Sequence, residues 1–590
     1  MSEKPVYALD FETTYSDELS VSTQGIKNYA RATETFLISV VGSDGFEYVG
    51  PPEDFDFTML NDCIVCAHNA SFDAGILRYS LGFDDSRYIW KDTAALSTYL
   101  QCGRSLKNAS HHMLDKEISK QARDAFKGFD RAKLEEKDLF GESMATLTYD
   151  YCLWDSKLSL EIWLKYSHLW PESEQEISRL NWECGHRGIS VDVPLLDKFI
   201  KRLEKVMKDS EALIPWRDQG VLSATARDQY LTQELKLSRR ELPSSFAADD
   251  DEFIQFCELH QVEALDNLKL YHRANTALKK YKAIKNRIDP ETGRMPVELL
   301  YGGAPHTMRF AGAYGVNMQN LPRDEFAGTN MRNIFTAAPG KKMIIADYSA
   351  IEGVVLSTIV GSTKALDLFR AGRDYYECQA VAAGLYDENK GPLKEVDPKL
   401  RYRMKVQSLG CQYRMGGNRL GDMINDNRLG KELVALFRES NPNIVRLWSK
   451  LEDAMRSGLD VGFWEMPLPS GRKIRYTNIH ERDGKYGKEL LCQTSKDKNV
   501  RPIHGGLLVE NMVQGIARDV LTDAMLKLGK HDGKSFNILL HIHDEIVFEA
   551  DEAIAEAVAD EIKAVMETSP EWLPALPLRV EPSITDRFEK

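Results

Sequence analysis

Met343-Ile344-Ile345-Ala346-Asp347-Tyr348-Ser349-Ala350-Ile351-Glu352 and Ile538-Leu539-Leu540-His541-Ile542-His543-Asp544-Glu545 carry most of what this chain says about its architecture. Each is an apolar run closed by an aspartate, the pattern of a buried strand that carries a carboxylate outward at its end. Set side by side, two such strands would aim Asp347 and Asp544 at one point. Like charges there repel unless cations bridge them, and paired carboxylates on Mg2+ are the equipment of phosphoryl transfer.

Working outward, the 590 residues exceed a single core and suggest roughly three or four domains. An apolar fraction of 43% with 28% charged residues fits packed globular domains, and no run is long enough to span a bilayer. Met1-Ser2-Glu3-Lys4-Pro5 has no apolar core behind it, so no signal peptide and no membrane role are expected, and residence is expected to be cytoplasmic. The 9 scattered cysteines suit a reducing compartment, and Cys63-Ile64-Val65-Cys66 lacks the second pair zinc would want, so it reads as strand core. The net charge of -14 argues against a uniformly basic nucleic-acid binder but leaves room for a local track. Lys269, Arg273, Lys279, Lys280, Lys282, Lys285 and Arg287 gather with Tyr271 and Tyr281 between them, and such a helix either follows a phosphate backbone or is a solvated face. Asp249-Asp250-Asp251-Glu252 reads as a solvated helix start, where the macrodipole favours acids.

Strand-like and helical stretches mix from Val6 to about Trp170, which predicts an α/β domain. From Ser173 to Ile288 the periodicity is mostly helical, a long-helix arm. After the turn cluster Asp289-Pro290-Glu291-Thr292-Gly293 come glycines and the Asp347 run; residues Leu366 to Leu451 turn helical, and strand signals return from Phe463. A helical insertion therefore separates the two aspartate-bearing strands.

In the first segment Asp10-Phe11-Glu12 follows the opening strand with both carboxylates on one face. Asp73 follows another strand, and Tyr151 and Asp155 lie one helical turn apart. Singly these are weak signals, since an aspartate after a strand is usually a cap or turn residue. In this order they resemble the DEDD-type 3′-to-5′ exonucleases with a tyrosine, over roughly the first 170 residues. The resemblance implies a ribonuclease H-like fold in which Asp10, Glu12 and Asp155 hold the ion that activates water, Asp73 helps hold a second, and Tyr151 orients the nucleophile.

Arg401, Lys405, Leu409 and Tyr413 recur every four residues and would share a helix face inside the insertion. Two cations and a ring suit a nucleoside triphosphate, although alone the pattern is more often a solvated stripe. With Asp347 to Glu352 before it and His543-Asp544-Glu545 after it, the set resembles the three ordered motifs of family A DNA polymerases, as do Thr307-Met308-Arg309, Gln319-Asn320-Leu321-Pro322 and Gln514-Gly515. The resemblance covers nearly the whole chain and is nearest to the large fragment of bacterial DNA polymerase I and to the shorter phage replicases.

It implies an α/β and α+β multidomain chain: an exonuclease domain over residues 1–172, then a right-hand polymerase domain over 173–590, with thumb about 173–295, palm about 296–365 and 452–590, and fingers about 366–451. Asp347 and Asp544 would hold two Mg2+ ions, with Mn2+ an alternative, and Arg401 and Lys405 would clamp phosphates, Lys405 also protonating pyrophosphate. Tyr413 would sit at the nascent pair and Glu352 would exclude a ribose 2′-hydroxyl. Arg309 and Gln514 would touch minor-groove acceptors, with Gln319, Asn320, Lys279 and Lys280 as further DNA contacts, and His543 would meet the primer end. The implied partners are primed template DNA and deoxynucleoside triphosphates, with a helicase, a primase or a processivity factor beside them. The implied task is DNA replication, for a phage genome in its host's cytoplasm.

Departures from the family pattern are Leu409 and Tyr376 where an aromatic residue and a histidine are usual, Arg414 in place of a glycine, expected to stiffen the helix end, and Gly353-Val354 after Glu352, where a partner charge is expected to be lost. A hydrolytic exonuclease of the RNase D kind with a helical extension, a noncatalytic DNA scaffold and a single-subunit RNA polymerase are the competing readings. Glu352 and the leading exonuclease pattern weigh against the last of these.

Overall fold

The computed structural model describes residues 4–118, 130–135, 144–247, 250–484, 487–496 and 498–589. The N-terminal domain is built on a five-stranded sheet ordered Glu47–Gly50, Thr35–Gly42, Val6–Thr13, Ile64–Ala67, Ile89–Asp92. Thr35–Gly42 runs antiparallel to the central strand, and Ile64–Ala67 and Ile89–Asp92 continue parallel on its other side. Thr35–Gly42 is apolar on both faces because both are covered, and the helix Met144–Tyr166 packs on this strand and on Val6–Thr13. Asp10 and Glu12 lie inside the central strand and not beyond it, just before a register shift at Glu12/Thr13. Pairing resumes beyond it, Thr13 with Thr35, so the acid pair sits beside a local irregularity in the ladder. Cys63 and Cys66 are buried beside and in the Ile64–Ala67 strand.

The arm differs from expectation at its start. Helix Glu172–Arg187 packs on the strands Ile89–Asp92 and Phe536–Ile542 and on helix Gly505–Gly529, so it belongs to the body. Its buried residues Ile177, Leu180, Asn181, Trp182 and Cys184 face those elements, while Glu172, Glu176 and Arg179 stay on the solvent side. The arm itself is the packed pair Val193–Ala212 and Glu263–Arg287, with Ala224–Leu235 and Asp251–His260 around a small core of Trp216, Phe253, Leu265 and Leu268 at its tip. Asp250 caps the Asp251–His260 helix by accepting from Phe253 N, as the acidic run suggested, while Asp249 lies outside the described residues.

Helices from Thr363–Arg370 to Pro442–Arg456 fill the insertion. After it, a four-stranded antiparallel sheet, Phe463–Pro467, Lys473–Gly484, Gly487–Gln493 and Arg501–Ile503, precedes the 25-residue helix Gly505–Gly529, which strand signals alone did not announce. That helix is buried around most of its circumference and so lacks an amphipathic stripe. Among the described residues no helix is long and apolar enough to cross a membrane.

The second main sheet is antiparallel, ordered Phe536–Ile542, Glu545–Asp551, Lys341–Asp347, Ser583–Thr585. The two aspartate-bearing runs are therefore not neighbours, because Glu545–Asp551 lies between them. Ile542 pairs with Glu545, which leaves His543 and Asp544 as the two residues of a tight turn, His543 at φ +53. The turn brings the chain straight back, so Asp347 pairs with Glu545 and Tyr348 N donates to the Asp544 carbonyl at 3.1 Å. The carboxylates converge through the hairpin turn and not through adjacent strands.

Candidate active sites

Asp347 and Asp544 line one cavity of about 440 Å³ together with Arg309, Glu352, Tyr376, Lys405, Leu409, His543 and Glu545. The Asp544 carboxyl is pushed up to about 7, first by burial and next by the charge of Asp347. Two carboxylates set this close favour a divalent cation over sodium or potassium, and an all-oxygen donor pair suits Mg2+ or Mn2+.

One wall is the helix Pro398–Cys411, started by Pro398 in its first turn and by Asp397, which accepts from Leu400 N. Met404, Gln407, Ser408 and Cys411 are buried, leaving Lys405 and Leu409 exposed at the cavity. Among the described residues Lys405 meets no carboxylate at ion-pair distance. Arg401 faces an adjoining cavity of about 650 Å³, its Nη2 2.7 Å from Asp374 Oδ2, and its guanidinium lies 5.4 Å over the Tyr376 ring. Tyr376 lines both cavities and so joins them.

The helix ends at Cys411, so Tyr413 follows in a turn and does not extend the stripe of Arg401, Lys405 and Leu409. Tyr413 still reaches the site, donating from its hydroxyl to Glu352 Oε2 at 2.7 Å. Burial and that carboxylate push the phenol up. Arg414 takes φ +71, the left-handed backbone that glycine adopts freely, and ion-pairs with Glu452 at 2.7 Å. It therefore turns the chain past the helix and does not stiffen it. Gly506 approaches here so closely that a Cβ would lie 2.3 Å from the Tyr413 carbonyl oxygen.

Glu352 has not lost its partner charge. Arg309 Nη2 lies 2.5 Å from Glu352 Oε1, replacing from a distant strand the cation absent after Glu352. Gly353 leaves room for Tyr375: a Cβ would sit 2.3 Å from the ring, whose hydroxyl donates to the Gly353 carbonyl at 2.8 Å.

The residues expected to touch DNA are spread more widely. Gln514 donates to Glu510 Oε1 at 3.1 Å, Gln319 donates to the Phe310 carbonyl at 3.2 Å, and Asn320 and His543 are exposed. On the arm, Lys282 and Lys285 pair with Glu204 and Asp197 of the neighbouring helix, and Arg287 is buried against Glu298 at 3.1 Å, so the track is shorter than the sequence suggested. Lys279 and Lys280 remain exposed. Arg323 and Arg332 also line the main cavity and Glu510 lies close to Glu352 and Arg309; none had a local pattern to mark it.

In the N-terminal domain Asp10, Glu12 and Cys152 bring donor atoms within 4.8 Å of one another. The Asp10 carboxyl is held well above the usual range by burial, then by Glu12 and Asp155. Asp73 is raised likewise by burial and then by Asp10, and its buried Oδ1 has no hydrogen-bond partner. The Tyr151 phenol is pushed up by burial, then by Asp155, Glu12 and Asp10. All five expected residues therefore converge, and the raised carboxyls with an orphaned oxygen fit a divalent cation. Cys152 was passed over in the sequence because nothing local distinguishes it from a core cysteine.

Asp347 and Asp544 thus meet at the end of the second main sheet, in one cavity with Lys405 of the neighbouring helix. The sequence model of DNA polymerase family A matches residues 195–590, and the chain belongs to that family. It is 27% identical over 506 residues to a DNA polymerase of Bacillus phage SP02, covering 75% of this chain and 74% of that protein. It is 28% identical over 423 residues to the thermostable DNA polymerase I of Thermus filiformis, covering 70% of this chain and 47% of that protein. The chain thus spans about half the length of that bacterial relative. The fold is shared with the POL domain of Pol1 from M. smegmatis, solved in complex with DNA primer-template and dNTP, at a TM-score of 0.72 and 17% identity over 99% of this chain and 96% of that one.

Proposed function

We propose that this chain is a DNA-templated DNA polymerase that adds deoxynucleotides to a primer 3′ end, with a 3′-to-5′ exonuclease in its N-terminal domain. The observation that carries the polymerase half is the meeting of Asp347 and Asp544 in one cavity below Lys405. Asp347 and Asp544 would hold Mg2+ at one centre, and Asp10, Glu12, Asp73 and Asp155 at the other. Divalent ions bound there lower the pKa of the attacking hydroxyl or water and neutralise phosphate charge. Lys405 would hold the triphosphate and give a proton to departing pyrophosphate, and Arg401 would receive the outer phosphates from the adjoining cavity. Tyr376 and Leu409 would line the nucleotide and Tyr413 the nascent pair. Glu352, held by Arg309 and Tyr413, would fill the space a ribose 2′-hydroxyl needs. Gln319, Asn320, Gln514 and His543 would line the path of the primed template, with Lys279 and Lys280 on its flank.

The exonuclease half is supported by the convergence of four acids and Tyr151, and by a sheet whose second strand is the antiparallel one, the topology of ribonuclease H-like domains. A phage replicase role is supported by the phage relative, which is matched over 75% of this chain.

A labelled primed template with a matched or mismatched 3′ end tests both halves. Asp347→Asn and Asp544→Asn are expected to stop extension while trimming continues, and Asp10→Asn and Asp73→Asn to do the reverse. Loss of both activities in every variant, with folding intact by circular dichroism, would refute two separate centres.

A further inference from the structure

Cys152 sets the N-terminal centre apart from the palm centre. Its Sγ lies 3.8 Å from Asp10 Oδ2, and Asp10, Glu12 and Cys152 present donors within 4.8 Å of one another. The thiol is fully buried on helix Met144–Tyr166, whereas Asp10 and Glu12 keep part of their surface, so sulfur forms the floor of the site. Asp73 supplies an independent sign of a missing ligand nearby: it is 2% exposed and its Oδ1 has no hydrogen-bond partner. No cysteine lines the palm cavity among the described residues.

Hard cations such as Mg2+ take oxygen donors and leave a sulfur aside, whereas Zn2+ and Cd2+ take thiolate readily. We propose that the N-terminal centre binds Zn2+ through Cys152 Sγ with Asp10 and Glu12, and that this holds the exonuclease off while the palm centre keeps working. The thiol proton leaves to solvent as the metal binds, and no redox change is involved. Zn2+ held there occupies Asp10 and Glu12, the two carboxylates on which the proposed Mg2+-dependent trimming relies, and thiolate ligation keeps Mg2+ from displacing it. This rests on the exonuclease reading above.

The test uses the full chain and Cd2+ as the spectroscopic probe, titrated in excess Mg2+ and followed by the ultraviolet sulfur-to-cadmium charge-transfer band. In the wild type a band saturating at one equivalent is expected; in Cys152→Ala and Cys152→Ser that band is lost and site affinity falls by roughly 100-fold or more. Within each protein, trimming of a labelled 3′ end in Mg2+ is then compared with and without added Zn2+, alongside extension. Zn2+ should arrest trimming in the wild type, spare extension, and lose its grip on trimming in Cys152→Ser, the gentler replacement should alanine disturb folding. An undiminished band in the folded Cys152 variants overturns the proposal. So does equal Zn2+ sensitivity of trimming in all forms, which leaves the exonuclease reading intact. A Cys152-dependent band with no Mg2+-dependent trimming by any form supports the metal site, overturns its regulatory role, and removes the exonuclease reading with it.

Discussion

Removing Arg309 tests whether the clamp on Glu352 sets sugar selectivity. The pair is 2.5 Å apart with both side chains 22% exposed, so it is neither a surface ion pair nor a dry one. At an effective dielectric of about 20, unit charges about 4 Å apart attract by roughly 4 kcal/mol, and partial exposure, screening and side-chain entropy reduce the net to about 1–2 kcal/mol. Arg309→Ala leaves Glu352 tied only to Tyr413, free to swing from the space beside the sugar. If that position excludes the 2′-hydroxyl, about 1.4 kcal/mol becomes roughly a tenfold loss in the ratio of kcat/KM for dNTP over rNTP. Tyr413→Phe should lose a smaller share, and because both partners grip one carboxylate the double variant should fall short of or exceed the sum of the two. The assay is single-nucleotide incorporation with matched dNTP and rNTP on one primed template, with DNA affinity measured separately. Unchanged selectivity in Arg309→Ala alongside weaker DNA binding would show that Arg309 serves the DNA alone and that Glu352 needs no clamp.

Three further outcomes follow from packing and charge. Gly506→Ala would push a methyl to within 2.3 Å of the Tyr413 carbonyl, so it should destabilise the fold by about 1–3 kcal/mol and raise the KM for dNTP, read by denaturant titration and by incorporation kinetics. Arg414→Gly should relieve about 1–2 kcal/mol of left-handed strain and lose less than that in the exposed pair with Glu452, so its thermal midpoint should rise; a fall would show the pair outweighs the strain. Glu298, buried at the junction of the N-terminal domain and the arm base, is raised from 4.5 to about 7, mainly by burial. A raised folded pKa makes its contribution fully present below about 4.5 and lost as pH rises through about 7, so denaturation midpoints of the wild type should fall across that window and those of Glu298→Gln should not. A parallel pH slope in both proteins would contradict the assignment.

Much of this was legible because the signals are local. Val6 to Leu9, Phe36 to Val41 and Met343 to Ala346 are apolar runs of strand length, and each forms a strand where it was expected. Asp544 lines one cavity with Asp347, but by a route the sequence did not show: a His-Asp pair lacks the Asn-Gly signature of a tight hairpin, so the return strand Glu545–Asp551 merged with the run before it. Helix Gly505–Gly529 escaped because a helix buried all round has no stripe. Pairings that decide the chemistry are tertiary. Arg309 and Glu352 lie 43 positions apart, and no periodicity links them. Cys152 sits next to Tyr151 in the chain, yet its approach to Asp10, 142 positions away, arises only when the helix docks on the sheet.

The two centres are held in one frame by buried polar contacts that do not yield easily. Gln101, 5% exposed, donates to the carbonyls of Arg475 and Thr494 at 3.1 and 2.5 Å and accepts from Arg475 N at 2.8 Å, tying the N-terminal domain to the sheet after the insertion. On the other side Lys27 lies 2.5 Å from Asp289, Arg31 ion-pairs with the same carboxylate, and Glu298 accepts from Ile26 N at 2.6 Å. Breaking one buried pair of this kind costs about 3–5 kcal/mol, so separating the domains on every catalytic cycle would cost more than a transient opening can bear. Under the proposed function it is therefore the DNA that moves. A primer end must unpair and cross a fixed gap as a single strand, and ends that fray most readily, the mismatched ones, reach the N-terminal centre most often.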